Sequence, residues 1–331
     1  MQAQFPKKAI HGGKIIELRK KAGHDFLDVS ASMNPFVPEI PRAFLEADLS
    51  VYPDDSYSAL KEKIAKVFSR NPDEICVGNG SAELIRVYCS VKLSKGKTAG
   101  IDMPTFAEYG LSAKLAGAEI VSGSDADVRF ICNPNNPTGL LKTRGEMISL
   151  VEDAEDGGSD LFTDEAFIEL AEHDESISDI KSDSLFVMRS ITKCFSVPGI
   201  RFGFGFGEPG LIEKIETART PWTVNAFAEN FAIEVLDRYG ELKESAAKIT
   251  AERNYYFTEI EKLGLTHSDS KANFIVIDVK EPAFEFCKKL MNEGVLVRDC
   301  TSFGLPNKIR VAVETREKNQ RVLEAIEKCL P

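Results

Sequence analysis

Ser190-Ile191-Thr192-Lys193-Cys194-Phe195-Ser196-Val197-Pro198-Gly199-Ile200-Arg201-Phe202-Gly203 is the most informative stretch of the chain. It follows a short apolar run, Leu185-Phe186-Val187-Met188, that reads as a buried strand, and it leads into another from Phe202 to Phe206. Lys193 therefore stands just past a strand end, between hydroxyl residues, with Arg201 eight positions later. One reading is an ordinary loop lysine, because lysines are usually exposed. The other is a Schiff-base lysine: a desolvated lysine beside another cation gives up its proton more easily and condenses with an aldehyde. On that reading Ser190, Thr192 and Arg201 offer donors and positive charge to an anion nearby.

Outward from this stretch, strand-like and helix-like runs alternate. Ile75-Cys76-Val77 precedes a helical pattern from Ala82 to Leu93, and Gly100-Ile101-Asp102 precedes one from Ala107 to Ala116. Short β-rich runs follow at Glu119-Ile120-Val121 and Val128 to Cys132, then a helical pattern from Glu146 to Glu155 and a strand at Asp160 to Thr163. Such alternation predicts an α/β fold, a mainly parallel sheet sandwiched by helices. After Pro221 the texture changes. Asn225 to Leu263 is nearly all helix-forming with a break near Tyr239-Gly240. A smaller α+β pattern closes the chain: Phe274 to Val279, a helix to Asn292, strands Val295 to Arg298 and Ile309 to Val313, and a helix from Glu317. The expected organisation is a large unit over 46–240, a smaller α+β unit over 241–331, and an N-terminal segment, 1–45, packed beside the smaller unit.

The 331 residues are 43% hydrophobic, enough for a sizeable core and against disorder. Acidic residues outnumber basic ones, 52 to 41, for a net charge of −11. A globally acidic surface argues against nucleic acid or an anionic membrane as partner, while leaving room for a local basic pocket. The N-terminus lacks a signal-like apolar stretch, and the seven cysteines show no C-x-x-C pattern. They read as buried, reduced thiols of a cytoplasmic protein, with no metal site expected.

Three further segments carry chemistry. Val77-Gly78-Asn79-Gly80-Ser81-Ala82-Glu83 is a glycine-rich turn before a helix, and reads either as a tight turn with Ser81 as cap or as a phosphate site at a helix N-terminus. Cys132-Asn133-Pro134-Asn135-Asn136-Pro137-Thr138-Gly139 is a polar loop at a strand end, where doubly wound sheets place ligands. Phe162-Thr163-Asp164-Glu165-Ala166-Phe167 ends another strand with an acid, either a local cap or a functional carboxylate. A fourth match, Gly205-Phe206-Gly207-Glu208-Pro209-Gly210, fits G-x-G-x-x-G. It is set aside as a dinucleotide site, because an acid and a proline stand where the pyrophosphate needs open backbone.

In this order and spacing, the lysine stretch and the three segments resemble the fold-type I pyridoxal-phosphate enzymes of the aspartate aminotransferase superfamily over nearly the whole chain. The resemblance implies pyridoxal 5'-phosphate as cofactor, with Lys193 as its Schiff-base amine and Asp164 against the pyridine nitrogen. It places Asn136 at the ring oxygen O3', and Ser81, Ala82, Ser190, Thr192 and Arg201 around the phosphate. Phe106 takes the stacking position. Tyr52, in Tyr52-Pro53-Asp54-Asp55-Ser56-Tyr57, is similar to the tyrosine that reaches the phosphate of a neighbouring subunit, which implies a homodimer.

Within that superfamily the chain looks like the threonine-phosphate decarboxylases and the histidinol-phosphate aminotransferases. The decarboxylase branch is favoured by His11-Gly12-Gly13, Asp28 to Pro35 with Asn34, Thr220 to Asn225, and Val297 to Leu305. Phe167 points the same way, standing where the aminotransferases usually carry a tyrosine. The resemblance makes Arg298, Arg310, His11 and Asn34 candidates for substrate binding, with Arg298 and Arg310 together a bidentate clamp for the substrate's phosphate or carboxylate. It implies decarboxylation of L-threonine O-3-phosphate to (R)-1-aminopropan-2-yl phosphate, as in cobalamin biosynthesis; the alternative is an aminotransferase acting on histidinol phosphate or a related amino acid with 2-oxoglutarate. Two other readings stay open: Arg310 as an edge-strand solubiliser, and His11 as a structural loop residue.

Overall fold

Seven strands form the central sheet, in the spatial order Ile75–Gly78, Gly203–Phe206, Leu185–Arg189, Asp160–Asp164, Val128–Cys132, Thr98–Ile101 and Glu119–Val121. The computed structural model describes residues 5–13, 15–22, 25–40, 43–123 and 125–330. The five strands from Leu185–Arg189 to Glu119–Val121 run parallel. Gly203–Phe206 is antiparallel to both of its neighbours. A parallel return needs a crossover, usually a helix lying across the sheet. The connection from Arg189 to Gly203 holds only the single turn Ile191–Cys194, so the chain folds straight back.

Alternate residues of a strand face opposite ways, and both faces are apolar here. On one face Leu161, Leu185, Val187 and Phe204 pack into a core shared with the helices Ser58–Phe68, Arg144–Gly157 and Ala226–Leu236. On the other, Phe130, Phe162, Phe186 and Met188 meet the helices Ser81–Lys92, Ala107–Leu115 and Pro209–Ala218. This is a sheet sandwiched by helices, as the alternating sequence predicts.

A second sheet holds Arg298–Asp299, Lys308–Ala312, Phe274–Asp278 and Thr266–His267, antiparallel throughout. The expected strand from Val295 to Arg298 is broken in two. Val295–Leu296 pairs with Leu27–Asp28 in parallel, and only Arg298–Asp299 joins the antiparallel sheet. The N-terminal segment is tied further by the Ala312 amide, which donates to the Val29 carbonyl at 2.9 Å. One apolar core runs from the large sheet into the small one, joining Val187 and Phe204 to Ile275 and Val311. All seven cysteines are unpaired, and six are buried. Among the described residues no helix is long and apolar enough to cross a membrane.

The G-x-G-x-x-G match has a local explanation. Glu208 caps the helix Pro209–Ala218, its carboxylate accepting from the Gly210 and Leu211 amides at 2.8 and 3.0 Å. A carboxylate already occupies the place of an anion at that helix end.

Candidate active site

The parallel strands end together at Ile101, Cys132, Asp164 and Arg189, and the segments that carry chemistry leave the sheet along that edge. They line a cavity of about 490 Å³, together with residues of the N-terminal segment and of the small sheet. That volume accommodates a cofactor and a short substrate.

Lys193 projects into this cavity from the turn Ile191–Cys194. Desolvation, with Arg310 and Arg201 nearby, pulls its amine down to about 8. The Schiff-base reading needs such an amine; an ordinary surface lysine has no reason to shift. The Phe167 ring lies beneath, its centroid 5.9 Å from Nζ, and packs edge-on against Phe274. Asp164 is buried at the end of its strand. Desolvation pushes its carboxyl up to about 6, opposed by hydrogen bonds from the Tyr109 hydroxyl at 2.6 Å and the Ala166 amide at 2.9 Å. The Ala166 bond is the local cap foreseen as the alternative for an acid here, so Asp164 caps its turn and also faces the cavity.

Ser81, Ala82, Ser190, Thr192 and Arg201, the residues expected around a phosphate, line the same cavity as Lys193. The helix Ser81–Lys92 begins with Gly80 as its cap, so Ser81 is the first helical residue and not the cap. The amides of Ser81 and Ala82 open the helix and have no intrahelical acceptors. Gly80 adopts φ 78°, and a Cβ there would fall 2.5 Å from Nη2 of Arg201. A Cβ on Gly203 would lie 2.8 Å from the Ser81 amide nitrogen. Both positions need glycine because backbone, guanidinium and strand converge on one small space. Ser190 accepts from the Thr192 amide at 3.3 Å, which leaves its hydroxyl proton free for an anion. Thr192 differs from the sequence expectation: its hydroxyl donates to the Phe202 carbonyl at 3.3 Å.

On the substrate side Arg298 and Arg310 are cross-strand partners, 7% and 6% exposed. Arg298 donates to the Asp299 and Ile10 carbonyls at 2.7 and 2.8 Å and to the Ser302 hydroxyl at 2.7 Å. Arg310 donates to the Ser30 carbonyl at 3.0 Å and to Oδ1 of Asn136. Every one of these acceptors is neutral. The edge-strand reading of Arg310 fails, because its strand lies between Arg298–Asp299 and Phe274–Asp278. By holding Oδ1, Arg310 also sets the Asn136 amide so that its NH₂ is the free end. Phe106 lines the cavity beside His11, with ring centroids 5.7 Å apart. His11 pairs with Glu108 at 2.7 Å, and Arg86 approaches the other Glu108 oxygen at 3.2 Å.

Two candidates lie elsewhere. Asn34 does not line the cavity: its amide donates to the Cys194 carbonyl at 2.8 Å, and its backbone amide donates to the Lys193 carbonyl at 3.0 Å. It clamps the lysine turn from behind. Tyr52 is 77% exposed and stacks on Trp222, itself 46% exposed, with centroids 4.5 Å apart. Sequence reasoning passed over Glu108 and Tyr109. Tyr109 lies three positions after Phe106 at the start of one helix, and that spacing is the signal that could have found it.

A buried amine, a carboxylate at a strand end and a helix-borne anion cup, on the edge of this sheet, define a pyridoxal-phosphate enzyme of fold type I. The model of the family "Aminotransferase class I and II" matches residues 30–129 and 122–326, and the chain belongs to that family. Among curated relatives, a putative threonine-phosphate decarboxylase of Caldanaerobacter subterraneus subsp. tengcongensis is 35% identical over 96% of this chain and 92% of its own. A histidinol-phosphate aminotransferase of Symbiobacterium thermophilum is 30% identical, covering 98% of this chain and 96% of its own. Among solved structures, the histidinol-phosphate aminotransferase of Clostridium acetobutylicum superposes with a TM-score of 0.83 at 30% identity, covering 91% of this chain and 98% of that one.

The cofactor is pyridoxal phosphate, and the residues present fit it. Lys193 would supply the amine, Asp164 a counter-charge for the ring nitrogen, and the free NH₂ of Asn136 a donor for the ring oxygen. Ser81, Ala82, Ser190 and Arg201 would hold the phosphate.

Proposed function

We propose that this enzyme decarboxylates a small phosphorylated amino acid, L-threonine O-3-phosphate, to (R)-1-aminopropan-2-yl phosphate. The observation that carries the reading is the Arg298–Arg310 pair. Two like charges on adjacent strands, both nine-tenths buried and hydrogen-bonded only to neutral acceptors, are costly unless a ligand brings negative charge. The cofactor's own phosphate is served by the separate cup around Ser81 and Arg201. The pair therefore suits a second phosphate, carried by the substrate, and guanidinium forks match that shape.

When bound, pyridoxal phosphate withdraws electrons from whichever substrate Cα bond stands perpendicular to its ring. The chain's residues choose the bond. Anchoring the substrate phosphate on Arg298 and Arg310 leaves the carboxylate unanchored and free to leave. Lys193, with an amine near 8, is both acid and base at neutral pH and can deliver a proton to Cα. Phe167 brings no hydroxyl to the ring oxygen; the Asn136 amide is the donor proposed there.

A second reading has support among the relatives, several of which are named histidinol-phosphate aminotransferases. In that reading Arg310 anchors a carboxylate, and Lys193 removes the Cα proton. The proposal includes a homodimer, supported by the Tyr52–Trp222 stack, whose two large rings stand exposed at the surface. The test is incubation with threonine phosphate and no oxo acid. Carbon dioxide and 1-aminopropan-2-yl phosphate are the expected products. Absence of both, with 2-oxoglutarate-dependent turnover of histidinol phosphate, overturns the decarboxylase reading.

A further inference from the structure

The Asp164 carboxylate has a partner that the cofactor roles leave unused. Oδ1 accepts the Ala166 amide at 2.9 Å, and Oδ2 accepts the Tyr109 hydroxyl at 2.6 Å. Each carboxylate oxygen has two acceptor sites, so the group can still meet a ring N–H while holding both bonds. Tyr109 is fully buried and its ring is fixed on several sides. It stacks on Phe130, with centroids 5.5 Å apart and planes at 19°, and meets Phe106 edge-on at 5.6 Å. The hydroxyl therefore has one place to be.

We propose that Tyr109 is a positioning residue, whose hydroxyl fixes the Asp164 carboxylate in the orientation and charge state that the cofactor's ring nitrogen requires. The surrounding groups support this. Glu165, next along the chain, disfavours charge on Asp164, and Lys193 favours it from the facing turn. Burial alone drives the carboxyl toward its neutral form, and the hydrogen bond from the Tyr109 hydroxyl opposes it most strongly. Burial, and after it the neighbouring Asp164 and Cys132, hold Tyr109 well above the ordinary phenol range, so it remains a donor. A neutral Asp164 cannot stabilise a protonated pyridine nitrogen, and the ring would then be a poorer electron sink. Through its edge contact with Phe106, the same ring also sets the side chain placed for stacking.

The test is Tyr109→Phe, which keeps the ring packing and removes one oxygen. Two properties of the purified protein are read: the dissociation constant for pyridoxal phosphate, and the pH dependence of the visible absorption of the loaded protein. The variant is expected to bind the cofactor about tenfold to a hundredfold more weakly, the loss of one charge-assisted hydrogen bond. Its spectral transition should move up by about one pH unit or more. The same substitution in an Asp164→Asn background should change cofactor affinity by less than about threefold, because the hydroxyl acts through the carboxylate. An unchanged affinity and pH profile overturns the proposal, and so does an equally large loss in the Asp164→Asn background, which would mark Tyr109 as packing only. Failure of the unmodified protein to take up pyridoxal phosphate would overturn the cofactor assignment and this inference with it.

Discussion

Replacing Arg298 with Met separates the substrate's phosphate from the rest of the chemistry. The side chain is 7% exposed and makes three hydrogen bonds, all to neutral oxygens. Truncating one partner of a buried, hydrogen-bonded charge pair costs about 2–5 kcal/mol. At about 1.36 kcal/mol per factor of ten, kcat/KM for threonine phosphate should fall roughly 30- to 5,000-fold. The free protein should hardly notice. Losing the three bonds destabilises it, but Arg310, pushed down to about 10 by burial and by Arg298, is relieved of a like charge. These opposing effects should leave the unfolding free energy within about 2 kcal/mol of the parent. The assay is carbon dioxide release from threonine phosphate and, in parallel, from unphosphorylated threonine, with a thermal melt of each protein. A fall in kcat/KM of less than about threefold, or an equal fall with the unphosphorylated amino acid, refutes the argument that the arginine pair binds a phosphate.

Other expectations follow from single contacts. Gly80→Ala forces a Cβ onto the Arg201 guanidinium at a left-handed φ, so cofactor affinity should drop about tenfold or more; equilibrium dialysis showing no change contradicts the cup. Because the Lys193 amine lies near 8, uptake of pyridoxal phosphate by the cofactor-free protein should accelerate with pH around a midpoint near 8, and a midpoint near the ordinary value of about 10.4 counts against it. The folded state then binds fewer protons at Lys193 than the unfolded chain between about 8 and 10.4, so this group's contribution to stability rises with pH across that window. Asn34→Ala removes the clamp on the Cys194 carbonyl, and stability should fall by about 1–3 kcal/mol with reduced cofactor content; a normal melt with impaired substrate binding would restore Asn34 to the substrate side.

Where the sequence was legible, a local pattern had one physical meaning. Leu185 to Met188 and Val128 to Cys132 read as strands from their short, β-rich apolar runs, and the parallel arrangement brings the chemistry-bearing residues at their ends to one edge. The reversal of Gly203–Phe206 was not legible, since its direction depends on a connection too short to cross the sheet and not on its own composition. Asn34 misled for a similar reason: it stands in the Asp28 to Pro35 stretch that carried the resemblance, yet its amide donates to a backbone carbonyl. Arg298 and Arg310 were expected to act together as an anion clamp; the antiparallel register that sets them side by side exists only once both strands are placed. Tyr109 was hidden by its bland neighbours, an aromatic among core aromatics whose one polar atom matters.

The account depends above all on Lys193 being the amine that carries the cofactor. Borohydride reduction of the loaded protein, followed by proteolysis and peptide mass spectrometry, tests this directly. A pyridoxyl group on the peptide containing Lys193, and on no other lysine, is the predicted result. A pyridoxyl group elsewhere, or none on a protein that retains its visible absorption before reduction, would contradict it.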